Sequence, residues 1–156
     1  MTMFHLAQIN IARMVAPLHD PRMREFVENL GPVNALAEAS PGFVWRWQSD
    51  LSGNATDLAY NEDPLVIANM SVWESIEALR AFTYKTQHVE FFRKRAQWFE
   101  KPSQPGYALW WIPAGHIPTI EEGQEKLELY RTRGATAAAF WFSQPFDAPL
   151  SAEVSA

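Results

Sequence analysis

The sequence predicts one α+β domain of 156 residues, built on a four-stranded antiparallel sheet. Three observations carry this expectation. Short β-compatible stretches alternate with helical ones in the order β-α-β-β-α-β, followed by one more helix. Helix starts are marked by capping residues rather than by composition alone. Apolar or aromatic residues occupy both faces of the second and fourth strands, so the sheet must be covered on both sides.

Phe4 to Ile11 is the first strand. Alternation puts His5, Ala7, Ile9 and Ile11 on one face and Phe4, Leu6, Gln8 and Asn10 on the other. Gln8 and Asn10 therefore share a face with apolar neighbours, either to satisfy edge backbone groups or to present amides to a cavity. Asp20-Pro21 starts a helix, an acidic cap followed by proline at the first helical position. Met23, Phe26, Val27 and Leu30 mark its buried side. Gly31-Pro32 predicts a kink or restart, with Val33 to Ala39 as the continuation. Asn34 falls on the buried side and needs a partner, structural or ligand.

Ser40-Pro41-Gly42 is a turn. Phe43 to Gln48 is the second strand, with Phe43, Trp45 and Trp47 on one face and Val44, Arg46 and Gln48 on the other. Residues 49–64 form a long acidic connection, of a length typical of lids, binding loops or partly disordered segments, with a hairpin extension as a further alternative. Leu65 to Met70 is the third strand. Ser71 with Glu74 has capping-box spacing, which puts Trp73 in the first helical turn. A break is expected around Tyr84 to Gln87. A further helix then runs to about Phe99, with His88, Phe91, Phe92, Arg95 and Phe99 on one face. Tyr107 to Ile112 is the fourth strand, and Thr119 with Glu122 caps a helix ending near Arg133 and Gly134. Phe140-Trp141-Phe142 is one more short strand or a packing arm. Residues 1–144 are expected as one domain and 145–156 as a loose tail.

The order of elements is the split β-α-β, or ferredoxin-like, arrangement. Its helix-free face would be covered most simply by a second copy, sheet against sheet.

The segment Trp73 to Phe82, followed by His88 and Phe91-Phe92, resembles the antibiotic-biosynthesis-monooxygenase-like proteins of the dimeric α/β-barrel superfamily. His5 to Asn10, Ser40 to Arg46 and Trp110 to His116 resemble, within it, a bacterial domain-of-unknown-function family that carries no general assigned reaction. The resemblance spans His5 to about Phe142. It implies a homodimeric α/β barrel with a pocket between sheet and helices in each protomer. Members of the superfamily include oxygenases using neither metal nor flavin, haem-degrading enzymes, haem dehydratases and peroxidases, and small-ring isomerases. In the haem-degrading branch a first-strand asparagine, a tryptophan and a helical iron-binding histidine act together. Asn10 and Trp73 are counterparts of the first two, but Ala81-Phe82-Thr83 occupies the histidine position. His88 lies a turn or more further on.

His88 is the candidate acid/base, since an imidazole titrates near neutral pH. A satisfied core or capping histidine is the alternative. Arg95 could stabilise developing negative charge, or serve in a salt bridge at the helix edge. Asn10, Asn34, Trp47, Asn69, Trp73, Tyr84, Phe92 and Trp111 are candidate substrate-binding residues, each of the tryptophans having core packing as its alternative. The four histidines lack metal-ligand spacing, cysteine is absent, and no phosphate loop or nucleophile elbow occurs. No metal is expected and cofactor-free chemistry is favoured, with haem as the alternative.

The formal charge of -5 argues against a nucleic-acid binder. No apolar run reaches the ~20 residues of a membrane span, and the N-terminus does not read as a signal peptide, so a cytoplasmic protein is expected. The functional expectation is an enzyme acting on a small apolar or aromatic molecule by histidine acid/base chemistry, through oxygenation, isomerisation or dehydration. A haem protein of the same fold and a non-catalytic binding or interaction module are the alternatives.

Overall fold

The computed structural model describes residues 3–49, 53–56, 58–87 and 94–149. The chain runs through β1 (Phe4–Arg13), a 3-10 turn (Pro21–Met23), α1 (Arg24–Ala39), β2 (Phe43–Arg46), β3 (Val66–Trp73), α2 (Ile76–Gln87), α3 (Arg95–Trp98), β4 (Tyr107–Pro113) and α4 (Ile120–Arg133). The sheet order is β2-β3-β1-β4, antiparallel throughout. That is the ferredoxin-like topology expected from the order of elements.

Each strand face has its own apolar cover. On one face Ala7, Ile9, Met70, Val72, Ala108, Trp110 and Ile112 pack with Leu127 of α4. Gly123 lets α4 come this close, because a Cβ there would stand 2.7 Å from Ile9 Cδ1. The expectation of a second copy as the simplest cover is therefore corrected over this part of the face, where the chain covers itself. On the opposite face Leu6, Trp73 and Leu109 pack with Ala37 of α1, Ile76 and Leu79 of α2, and Phe140. Further along that face Met14 joins Met23, Phe26 and Trp98. Burying one such side chain stabilises the fold by about 1.5–3 kcal/mol.

Local departures from the expected elements have physical causes. Ser71 does not cap a helix, and Trp73 is not in a first turn. β3 continues to Trp73 because Ser71 and Trp73 pair in register with Gln8 and Leu6 of β1. The capping hydroxyl is that of Ser75, which accepts from the Ala78 N–H at 3.1 Å. Helix α2 passes through the expected break at Tyr84 to Gln87. Helix α1 likewise carries Pro32 in its interior, on the exposed side. Val27, expected in the core, is 40% exposed, whereas Met23 and Phe26 are buried.

Phe43 and Trp45 do not share a face. A bulge shifts the β2 register between them, so Phe43 opposes Trp73 while Trp45 opposes Val72. Phe43 then packs on the α1/α2 side, and Trp45 and Trp47 pack on the α4 side.

The described residues of the 49–64 connection are tied to elements on both sides of the sheet. Asn54 Oδ1 accepts from Asn34 Nδ2 of α1 at 2.8 Å. The Tyr60 carbonyl accepts from Gln124 Nε2 of α4 at 2.6 Å. Asp63 pairs with Arg13 at 2.8 Å, and Arg13 also binds Glu100. At the opposite edge, Phe140 exchanges backbone hydrogen bonds with Leu109 of β4 at 2.8 and 2.9 Å. The arm extends at least to Phe146, whose carbonyl accepts from Trp111 Nε1 at 2.8 Å. Both edges of the sheet are thus partly occupied, which limits edge-to-edge pairing.

Candidate functional site

Between the two apolar clusters on the α1/α2 side of the sheet lies a polar belt. Alternation along β1 places Leu6, Gln8, Asn10, Ala12 and Met14 on this side, and Leu6 and Met14 belong to the two clusters. Register brings Gln8 opposite Ser71, and Asn10 opposite Asn69 on β3 and Tyr107 on β4. Arg46 of β2 lies on the other side of Ser71. One row across the sheet therefore reads Gln8, Ser71, Arg46, and the next reads Tyr107, Asn10, Asn69.

The belt is hydrogen-bonded in a defined direction. Gln8 Nε2 donates to Asn69 Oδ1 at 2.6 Å and to Ser71 Oγ at 2.7 Å. Asn10 Nδ2 donates to Gln8 Oε1 at 3.1 Å. Trp73 Nε1 donates to the same Ser71 Oγ at 2.9 Å. Gln8, Ser71 and Trp73 are buried, so these bonds answer groups that would otherwise be unsatisfied. Asn10 and Asn69 are exposed. Among the described residues Asn10 Oδ1 and the Asn69 Nδ2 protons have no protein partner, so the belt presents one acceptor beside one donor pair. The apolar boundary on one side is Trp73, stacked on Phe82 with centroids 5.1 Å apart and edge-on to Phe43 at 5.5 Å.

Arg46 is the charged member of this region. Its side chain is only 11% exposed, and Nη2 meets Glu38 Oε1 of α1 at 3.5 Å. Its Nε is buried and has no hydrogen-bond partner. A buried donor left unpaired costs about 1–3 kcal/mol. Sequence reasoning put Arg46 opposite Trp45 and Trp47, as found, but also opposite Phe43, with which the bulge makes it share a face, and attached no role to it. The alternation of Trp45, Arg46 and Trp47 was the available signal, because a charge between two aromatics faces the other side of the sheet.

The expected site residues divide accordingly. Asn10, Asn69 and Trp73 come together in the belt and its boundary. Trp111 is on the same face, opposite Leu6, with its indole N–H taken by the arm at Phe146. Asn34 is diverted to Asn54, because its place on α1 faces the 49–64 connection. Trp47 lies on the α4 side of the sheet, since the bulge moves it with Trp45. Tyr84 is 64% exposed, because α2 continues where a break would have turned it inward. Arg95 is exposed on α3, the short turn that seats Trp98 against Met23 and Phe26. His88 and Phe92 lie outside the described residues.

The three described histidines are not on the belt. His5 alternates to the α4 side of β1, with a buried Nδ1 that lacks a partner. His19 is exposed. His116 Nε2 bonds Glu122 Oε1 at 2.7 Å, while Glu122 Oε2 accepts from Trp110 Nε1 at 2.8 Å. Glu122 thus uses its carboxylate to tie α4 to β4 and leaves Thr119 to cap the helix through the Glu122 N–H. With Phe82 stacked on Trp73, the described residues supply no imidazole for a haem iron beside the belt. Among the described residues no cluster of His, Asp and Glu is arranged to hold a metal ion, and no helix is long and apolar enough to cross a membrane.

A separate open groove of about 370 Å³ runs between the Ser40-Pro41-Gly42 turn and α2, past Ala78, Ala81 and Lys85. It has an apolar wall, and its charged groups, Glu74, Glu77 and Lys85, are all exposed. The belt differs in having converging, buried polar groups with spare donor and acceptor capacity at its edge.

Comparison with known proteins places the chain in a family. NE2512, a protein of unknown function from Nitrosomonas europaea, is 12% identical, with 75% of this chain and 97% of that chain covered and a TM-score of 0.41. A Nitrosomonas europaea protein proposed to be an antibiotic biosynthesis monooxygenase is 11% identical, with coverages of 75% and 93% and a TM-score of 0.41. PA3566 from Pseudomonas aeruginosa is 13% identical, with coverages of 73% and 95% and a TM-score of 0.39. No curated protein matches the chain. The profile of the family described as Domain of unknown function (DUF3291) matches residues 5–156, and the chain belongs to that family.

Proposed function

We propose that the belt is the floor of a small-molecule site and that the protein is an enzyme acting on an apolar or aromatic substrate. The observation that carries this reading is the pair Asn10 Oδ1 and Asn69 Nδ2, whose side chains are both bonded to buried Gln8, itself anchored on Ser71, between two apolar clusters. A few fixed polar groups in apolar surroundings are the usual composition of ligand pockets. Amide N–H groups fixed in this way can orient a carbonyl and stabilise charge developing on its oxygen.

The belt has amides, a hydroxyl, an indole, a phenol and a guanidinium, side-chain types that do not ordinarily exchange protons near neutral pH. Proton transfer therefore needs another group, and His88 is proposed for it. Cofactor-free oxygenation, isomerisation or dehydration are the reaction classes consistent with that chemistry. A cytoplasmic homodimer belongs to the same proposal.

Calorimetric titration with 1-naphthamide, an aromatic amide with one acceptor and one donor group, tests the binding step. Binding should occur, and Asn10→Ala or Asn69→Ala should each weaken it roughly two- to tenfold, the scale of one lost hydrogen bond. Unchanged affinity in both variants rejects the assignment. Mass spectrometry of molecules that copurify with the protein would supply a substrate for turnover. Undiminished turnover in His88→Ala would then remove His88 from the mechanism.

A further inference from the structure

We infer that Arg46 is the anion-binding end of this site and that the ligand carries a carboxylate. The inference rests on the binding role proposed for the belt and adds the substrate class. Arg46, Ser71 and Gln8 stand side by side on three adjacent strands, so the guanidinium extends the belt towards β2. An arginine offers five N–H donors in a planar fork that matches two carboxylate oxygens. Here Nε is buried and has no partner. Among the described residues, Glu38 is the carboxylate that approaches the fork, at 3.5 Å from Nη2.

Glu38 is a poor permanent occupant. Its side chain is 50% exposed, so much of its charge remains hydrated, and its one contact exceeds the usual 2.7–2.9 Å of a charge-assisted hydrogen bond. Displacing it leaves a carboxylate that water can solvate and frees Nη2, beside the unpartnered Nε. A bound carboxylate would satisfy the buried Nε, while Asn10 and Asn69 remain available for a second polar group of the same ligand. Glu38 then acts as an internal competitor that keeps the guanidinium paired when the site is empty.

The test is calorimetric titration of the full chain with 1-naphthoate and with 1-naphthamide, which share the ring system and differ in charge. The wild type should bind 1-naphthoate at least about tenfold more tightly than 1-naphthamide, as hydrogen bonds to charged groups exceed neutral ones. Arg46→Gln should abolish that preference. Glu38→Gln should strengthen 1-naphthoate binding several-fold without affecting the amide. Equal binding of both probes by the wild type overturns the anion assignment alone. Binding of neither overturns it together with the proposed function. Should Arg46→Gln fail to fold, Glu38→Gln decides, and unchanged or weaker 1-naphthoate binding in that variant contradicts the inference.

Discussion

Gln8 and Ser71, 63 positions apart in sequence, are register partners joined side chain to side chain at 2.7 Å in the buried middle of the sheet. This bond connects two roles, because Ser71 also takes the Trp73 indole proton and Gln8 also holds Asn10 and Asn69. Gln8→Leu should therefore lower stability by about 1–3 kcal/mol, since it strands polar partners beside a new apolar group. Urea denaturation measures this directly. No loss would show that the belt is solvated in solution.

Gly42 joins the turn before β2 to α2. Its φ is +84°, and a Cβ there would stand 2.5 Å from Ala78 Cβ. Both backbone strain and collision oppose substitution, and neither can be relieved by rotating a long side chain. Gly42→Ala should cost about 2–4 kcal/mol, read as a lowered midpoint in thermal or urea unfolding.

Asp63 should contribute to acid sensitivity. The Arg13 side chain, and then the Leu65 backbone N–H, hold its carboxyl below the ordinary aspartate range. A carboxyl whose pKa is lower in the folded state stabilises the fold above its unfolded pKa. That contribution disappears as pH falls through the folded value. Asp63→Asn should therefore lower the thermal midpoint at neutral pH, with the gap to wild type closing in acid below about pH 4. Added salt should narrow the gap at neutral pH, because the pair is on the surface. A gap that stays constant with pH would contradict this.

Sedimentation velocity tests the homodimer. A species of about twice the 17.8 kDa chain mass is expected, and a monomer across the micromolar range would contradict it.

Much of the topology was legible because strand alternation and capping chemistry are local. Thr119, Asp20 and the run from Phe4 act within a few residues of themselves. What depended on register was not legible. Ser71 has capping-box spacing from Glu74, yet pairing with Gln8 holds it in β3. The bulge after Phe43 cannot be seen in Phe43-Val44-Trp45, and it reassigns Trp47 to the other face. At the site, Asn10, Asn69 and Trp73 were recognisable as candidates, but the Gln8 bonds that link them cross strands. Arg46 lacked any motif, and its significance comes from a buried, unpartnered Nε. Asn34 and Arg95 were selected by helical phase, which the 49–64 connection and the seating of α3 override, and Tyr84 by an expected break that the continuous α2 removes.

The most direct measurement is an NMR titration of the side-chain amide protons with 1-naphthamide. The account predicts that the Asn69 Nδ2 resonances shift most, with smaller changes at Asn10 and Gln8, and that Asn69→Ala weakens binding. Shifts confined to the backbone of Gly42, Ala78 and Ala81, along the groove beside α2, would place the ligand elsewhere and contradict the central claim.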